Sequence, residues 1–366
     1  MLEHTPRLTV ADAARIASER YGIAGSVSPL PSERDQNFIV EAGDGRRIVL
    51  KVANASEDAA MLDAQRAVFA HLATRFPLAP RVVPTTTGES VTIFSADGTS
   101  HAVWAITFLD GIMLADQRRR TLPMLENYGA RIGELSKALA DFDHPAVHRE
   151  FYWDLANGRA EVTKYRALLD DGVGALVDLL IQRFDRQTAP LLPELRKSVI
   201  HDDLHDHNVL VGGGGDLWTR DQQVTGVVDF GDMVHGWTIA ELAVPCAYIA
   251  LSAPDPLAAI ASVVRGCHAV FPITEDELSA LYGLIVMRLC MSACHAAHQR
   301  RANPGNDYLD VSQSAIRDTL PLLAAIPFNL ARAVFRDACG LEPVPGSGAV
   351  ASWLRANTKS FAPLLS

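Results

Sequence analysis

The chain has 366 residues, 48% of them apolar and 21% charged, an ordinary globular composition with length enough for two domains or one large two-lobed unit. Its formal net charge of −10 argues against a nucleic-acid partner, because phosphate binding needs a basic face and none stands out. The one basic run, Arg118-Arg119-Arg120, is short and reads as a solvated loop.

In chain order, Thr9 or Asp12 caps a helix expected over residues 9–21. Residues 27–30, 37–42 and 47–52 read as short strands, with a hairpin turn at Asp44-Gly45. Helical periodicity returns over 57–75, where Met61, Leu62, Val68, Phe69 and Leu72 gather toward one face. Two further strands are expected at 90–95 and 102–109, turning at Asp97-Gly98. After Asp110-Gly111 the pattern is mostly helical, with candidates at 121–142, 154–170, 172–187, 238–252, 256–268, 275–300, 309–320 and 327–338. Two elements interrupt this series, 199–211, with ionisable residues between two short apolar runs, and 227–232; both read as short β segments joined to acid-bearing loops, and Gly212 to Gly215 turns between them. Sheet first and helices after is the order of an α+β protein with two lobes, 1–109 and 110–366.

Met1-Leu2-Glu3-His4 lacks the basic start and apolar stretch of a secretory signal, so the expected location is the cytoplasm. The most apolar segment, Leu281 to Ala297, is cut by Arg288 and His295 and is expected to be too short to cross a bilayer. Five cysteines, Cys246, Cys267, Cys290, Cys294 and Cys339, sit mostly among apolar neighbours and read as reduced core thiols. Cys290, Cys294 and His298 share a helix face, but packing accounts for them better than a metal does.

Chemistry concentrates in the interrupting strands. His201, Asp203 and Asn208 follow the spacing His-x-Asp-x-x-x-x-Asn, and Asp229-Phe230-Gly231 follows after Val227-Val228. Phosphoryl transfer needs these parts: an Asp for the attacking hydroxyl, and an Asn and a second Asp to hold Mg²⁺ against the phosphates. Asp203 takes the first role, Asn208 and Asp229 the second. His201 is expected to brace the loop backbone, while His205 or His207 is a candidate to face substrate. Asp232 and Glu241 are candidates to attract a substrate amine, though a salt bridge or a helix cap accounts for them as well. Upstream, the loop of Ser32, Arg34 and Asn37 is rich in polar residues and suited to lie over phosphates, though an ordinary turn reads the same way. Lys51, inside Ile48-Val49-Leu50-Lys51-Val52, is either an edge-strand lysine facing water or a clamp on the α and β phosphates.

These segments resemble the aminoglycoside phosphotransferase and choline kinase superfamily, relatives of the protein kinases. The whole chain is most similar to its hydroxylysine kinase-like branch, whose phosphotransferase domain also occurs fused to class III aminotransferases. The resemblance is carried by residues 33–38, 49–54, Asp143-His144-Pro145, Trp153-Asp154-Leu155, 228–235 and Ala338-Cys339-Gly340-Leu341-Glu342-Pro343. It implies a protein kinase-like bilobal fold: an N-terminal nucleotide-binding lobe of antiparallel sheet with one helix, and a larger, mostly helical catalytic and substrate-binding lobe. It further implies Lys51 on ATP or GTP phosphates, Asp203 as catalytic Asp, Asn208 and Asp229 on Mg²⁺, and Phe108-Leu109-Asp110 as a hinge against the base. The implied reaction moves a γ-phosphoryl group to a hydroxyl of a small amine or amino acid. An aminoglycoside acceptor, or a catalytically weak nucleotide-binding module, are the alternatives; the oligomeric state stays open.

Three departures from the family pattern stand out. Asp202 stands where Gly is common, Ser32 replaces a frequent Gly, and the helix expected to pair an acid with Lys51 offers Asp63 and Gln65.

Overall fold

Thr9 opens the first helix through a reciprocal cap: its hydroxyl accepts the Asp12 N–H, and the Asp12 carboxylate accepts the Thr9 N–H, both at 3.1 Å. The computed structural model describes residues 5–32, 35–96, 99–251, 253–302 and 311–358. The turn expected at Asp97-Gly98 lies outside the described residues.

The elements run α1 (Val10–Tyr21), β1 (Gly25–Leu30), β2 (Gln36–Ala42), β3 (Arg47–Val52), α2 (Ala59–Leu72), β4 (Val82–Val83), β5 (Thr92–Ala96), β6 (Thr99–Thr107), β7 (Ile112–Met113) and α3 (Leu122–Leu139). There follow α4 (Gly158–Tyr165), α5 (Asp171–Gln187), β8 (Lys197–Ile200), β9 (Val209–Gly212), β10 (Gln223–Val227) and β11 (Val234–Trp237). The chain ends in α6 (Ala240–Leu251), α7 (Pro256–Val270), α8 (Glu275–Ala302), α9 (Val311–Ala325), α10 (Phe328–Ala338) and α11 (Ser347–Ala356). An antiparallel sheet in the N-terminal region and a helical C-terminal part make this the expected α+β, kinase-like class.

The chain divides into two compact units. The first comprises Met1–Met124, Glu134–Asp154 and Lys197–Glu241, so it carries both the large sheet and the three strands of the acid-tipped segments. Its sheet is antiparallel throughout, ordered β1-β2-β3-β6-β4, with β5 also paired to β6. Alternation sends Ile48, Leu50 and Val52 of β3, with Val103 and Ala105 of β6, onto Ala13, Ile16, Ala17 and Tyr21 of α1. Val49, Lys51, Trp104 and Ile106 therefore take the other face. Two smaller pairings complete this unit: β10-β9-β7, and β11 with β8.

The second unit holds Leu125–Gly133, Leu155–Arg196 and Leu242–Ser366. Here α3 and α7 cross at two glycines: a Cβ on Gly129 would lie 1.9 Å from Val263 O, and one on Gly266 1.9 Å from Glu126 O. The expected helix at 154–170 is interrupted; α4 is flanked by 3₁₀ turns at Leu155–Asn157 and Arg166–Leu168. Its neighbour α8, at 28 residues, is longer than its apolar run suggested and long enough to cross a bilayer. An apolar window of this helix is 94% buried, packed against α4, α5, α9 and α10. Cys290 and Cys294 are buried on it, and burial pushes both thiols up. All five cysteines are free thiols.

Candidate active site

The loop from 201 to 208 leaves β8, which pairs with β11, and enters β9, which pairs with β10 and β7. It is fixed from inside by His201, fully buried, whose Nε2 lies 2.9 Å from Val228 O. A carbonyl only accepts, so Nε2 carries the proton and Nδ1 accepts the Asp203 N–H at 3.3 Å. Burial depresses the imidazole pKa, which keeps the ring neutral and suits this pattern. Glu241, in the first turn of α6, accepts the His201 N–H at 2.6 Å and also the Asp202 N–H. Burial pushes its carboxyl up to about 7. Between them Asp202 adopts φ 63°, the left-handed conformation that explains why Gly is common there; Asp is among the residues that tolerate it. Its side chain is buried.

The Asp203 carboxylate is half-buried. Its Oδ2 accepts from Asn208 Nδ2 at 2.8 Å, and the same amide nitrogen donates to Asp203 O at 2.8 Å. Those two bonds fix the amide orientation and leave the Asn208 oxygen as an acceptor. His205 Nε2 stands 3.3 Å from the same Oδ2, while its Nδ1 accepts the N–H of exposed His207 at 3.1 Å. Arg120 clamps the far end of the loop, donating to Asp206 Oδ2 at 2.8 Å and Leu114 O at 3.0 Å. Burial alone would raise the Asp206 carboxyl, but the His205 and Arg120 contacts outweigh it and hold it below the usual range. The solvated reading of the basic run is thus corrected at Arg120.

After β10, Asp229 also takes a left-handed backbone, φ 64° and ψ 70°, with its side chain exposed. Phe230 turns inward, meeting His201 at 4.6 Å and Phe69 at 5.1 Å between ring centroids; Phe69 meets Trp104 at 5.9 Å. Gly231 O accepts from Arg149 Nη2 at 3.0 Å, and Asp232 ends the 3₁₀ turn Phe230–Asp232, half-buried. The exposed Asp229 carboxylate and the Asn208 amide oxygen are hard oxygen donors of the type Mg²⁺ takes, so this pair fits that ion.

Lys51 sits in a row with Asn37 and Trp104, its partners in the β2-β3 and β3-β6 registers. Its Nζ lies 5.4 Å from the Trp104 ring centroid. Asp63 is exposed and pairs with Arg66 and His144, away from the lysine. Gln65 is buried on α2 and forms no hydrogen bond to Lys51; a Cβ built on Gly231 would lie 3.9 Å from its Nε2 and 3.4 Å from Asp229 Oδ1. Glu57 precedes the helix, whose cap is Asp58. Ser32 is exposed beyond β1, and Arg34 lies outside the described residues. Asp35, at the base of that loop, accepts the Asn54 N–H at 2.9 Å.

Phe108 and Leu109 leave the sheet just after β6, earlier than the strand pattern suggested. Arg47 covers the Phe108 ring at 4.6 Å and pairs with Asp110 at 2.6 Å. Gly111, at φ 150°, has no room for a side chain: a Cβ would lie 2.7 Å from Thr225 Oγ1 and 2.8 Å from Val211 O.

The sequence singled out Glu241 as an acid for a substrate amine, a salt bridge or a helix cap, whereas it holds the His201 and Asp202 backbone; Arg120, Asp206, Arg149 and Trp104 were missed as parts of this assembly. Glu241 left the clearest signal, a lone acid in the apolar run Ala240-Glu241-Leu242-Ala243-Val244.

The model of the phosphotransferase enzyme family matches residues 26–272. Hydroxylysine kinase of Danio rerio is 32% identical over 317 residues, covering 83% of this chain and 88% of that protein. Hydroxylysine kinase of Mus musculus is 30% identical over 328 residues, covering 84% and 87%. Among solved structures, a microcompartment-associated aminopropanol kinase shares the fold at TM-score 0.63 and 18% identity, covering 92% of this chain and all of that one. An amicoumacin kinase in complex with AMP-PNP, Ca²⁺ and Ami does so at 0.63 and 12%, covering 88% and 96%. On the family match and the hydroxylysine kinase identity together, this chain belongs to the phosphotransferase enzyme family and is a small-molecule phosphotransferase acting on hydroxyl groups.

Proposed function

We propose that the enzyme transfers the γ-phosphoryl group of ATP or GTP, with Mg²⁺, to the hydroxyl of a small amine or amino acid of the hydroxylysine type. The observation that carries the chemistry is Asp203, its carboxylate oriented by Asn208 at 2.8 Å, in a loop joined to the Asp229 strand through His201 and Val228. Identity to hydroxylysine kinases over more than four-fifths of this chain supports the acceptor class.

In this reading Asp203 accepts or orients the proton of the attacking hydroxyl. Asn208 and Asp229 hold the metal, which when bound neutralises charge on the transferring phosphates. Lys51 contacts the phosphates, with Ser32, Arg34 and Asn37 in the covering hairpin, and Phe108 and Leu109 meet the base. His201 and Glu241 keep the loop in register. Asp232 is the acid offered to the acceptor's amine, and His207 is the imidazole that faces the acceptor. The functional division is 1–109 for nucleotide and 110–366 for catalysis and acceptor. The acidic chain acts on small molecules, in the cytoplasm, without nucleic-acid or membrane partners.

The test is initial-rate phosphoryl transfer with Mg²⁺ and either ATP or GTP, across 5-hydroxylysine, ethanolamine, homoserine and kanamycin. The expected result is the highest kcat/KM on hydroxylysine. Preferred turnover of kanamycin would replace the acceptor, and nucleotide binding without transfer to any of the four would make the chain a binding module.

A further inference from the structure

We infer that Trp104 is the positioning residue for Lys51, its indole face holding the ammonium where an acid on α2 would otherwise stand. The inference rests on the phosphotransferase reading and concerns how that site holds its nucleotide.

Cross-strand register places Asn37, Lys51 and Trp104 side by side, on the sheet face opposite the α1 core. Paired residues in antiparallel strands point to the same face, so the contact is built into the hydrogen-bonded ladder. Nζ at 5.4 Å from the ring centroid is within the range of a cation–π contact, and indole offers the strongest ring face. The indole is 1% exposed and wedged against Phe69 of α2, which fixes the ring plane. Its Nε1 is buried with no acceptor among the described residues. A buried N–H without a partner is a cost that Phe would not bring, so the indole is there for its face rather than its donor.

The helix supplies no competing anion. Asp63 is turned to Arg66 and His144, and the Gln65 amide lies toward Gly231. Among the described residues no carboxylate forms an ion pair with Lys51. Two consequences follow. A carboxylate on α2 would make the lysine's placement depend directly on that helix, whereas a contact between adjacent strands is set by sheet register, with α2 entering only through the Phe69 ring packed on the indole. A neutral ring also leaves the ammonium charge undivided for incoming phosphates.

The experiment is a double-mutant cycle on nucleotide affinity, measured by calorimetry with Mg²⁺ and the ATP analogue AMP-PNP. Wild type, Trp104→Leu, Trp104→Phe, Lys51→Met and the combined variants are compared, with kcat, nucleotide KM and Tm for each. Trp104→Leu should weaken binding about tenfold, the worth of a partly desolvated cation–π contact, and Trp104→Phe by only about threefold. In the Lys51→Met background both substitutions should change binding by less than about twofold. Equal losses in the two backgrounds, or Phe as damaging as Leu, overturn the assignment. If Trp104→Leu does not fold, the same cycle runs on Trp104→Phe alone. Wild-type protein that binds no nucleotide would instead sink the phosphotransferase reading itself.

Discussion

Two loops of the candidate site each place an aspartate in left-handed backbone, and they are secured in opposite ways. At Asp202 the side chain is buried and its backbone N–H is held by Glu241, next to His201, which is buried and bonded at both ring nitrogens. At Asp229 the side chain is exposed; what is secured is the neighbour, Phe230, between His201 and Phe69. Strained backbone persists only where its surroundings over-determine it. The first loop reaches that condition through polar contacts to the chain, the second through aromatic packing that leaves the carboxylate free to meet a ligand. A loop that must present a proton acceptor at one angle is braced on several sides. A loop that completes its coordination with a cation needs only its anchor.

Removing the group that the braced loop presents should have the largest effect. Asp203→Asn keeps the shape and an acceptor for Asn208 but removes the charge. General-base contributions of this kind predict a fall in kcat of about 10³, roughly 4 kcal/mol at the transition state. Nucleotide affinity should stay within about twofold. A kcat within tenfold of wild type, at saturating nucleotide and acceptor, would remove Asp203 from the proposed role.

The next effect tests the bracing itself. Arg120 and Asp206 are 12% and 17% exposed, so Arg120→Ala strands a mostly buried carboxylate and should cost about 3 kcal/mol in urea unfolding. Asp206→Asn added to it should recover part of that loss. Arg119, exposed and stacked on Trp218 at 4.8 Å, should cost less than about 1 kcal/mol on truncation. Equal losses at 119 and 120 would mean the loop is not clamped as described.

That pair also shows what the sequence could and could not convey. Arg118, Arg119 and Arg120 are one residue type in a row; only the fold decides that the third meets Asp206, 86 positions on. Local signals are strong where periodicity and turns act alone. The α1 cap, the β2–β3 hairpin and the order His201, Asp203, Asn208 and Asp229 were legible for that reason. Two-residue strands such as β4 and β7 carry no periodicity, and α11, exposed along its length, has no buried face to leave a pattern. Asp202 read as an unexplained charge because a sequence does not display φ. Trp104 read as one more apolar strand residue because its partnership with Lys51 is a matter of register between β3 and β6.

The smallest effect is a pH dependence, and it separates the two buried groups of the braced loop. Glu241 has its carboxyl raised from 4.5 to about 7 by burial, so between those values the folded chain keeps a proton that the unfolded chain has released. Its contribution to stability is complete below pH 4.5 and is lost as pH rises toward 7. His201 is shifted the other way: burial lowers its pKa, so below about 6.5 the unfolded chain gains a proton that the folded one refuses. Its contribution is complete above that value and declines with acid. The two slopes oppose each other, which hides both in a single stability curve. Glu241→Gln, close in shape to the protonated acid, removes one of them. Relative to wild type, the variant should gain about 2 kcal/mol in urea unfolding between pH 5 and pH 8. His201 is present in both proteins, so its acid-side slope cancels in the difference. A wild-type-to-variant gap that is the same at pH 5, 6, 7 and 8 would show that Glu241 titrates in the fold as it does in water.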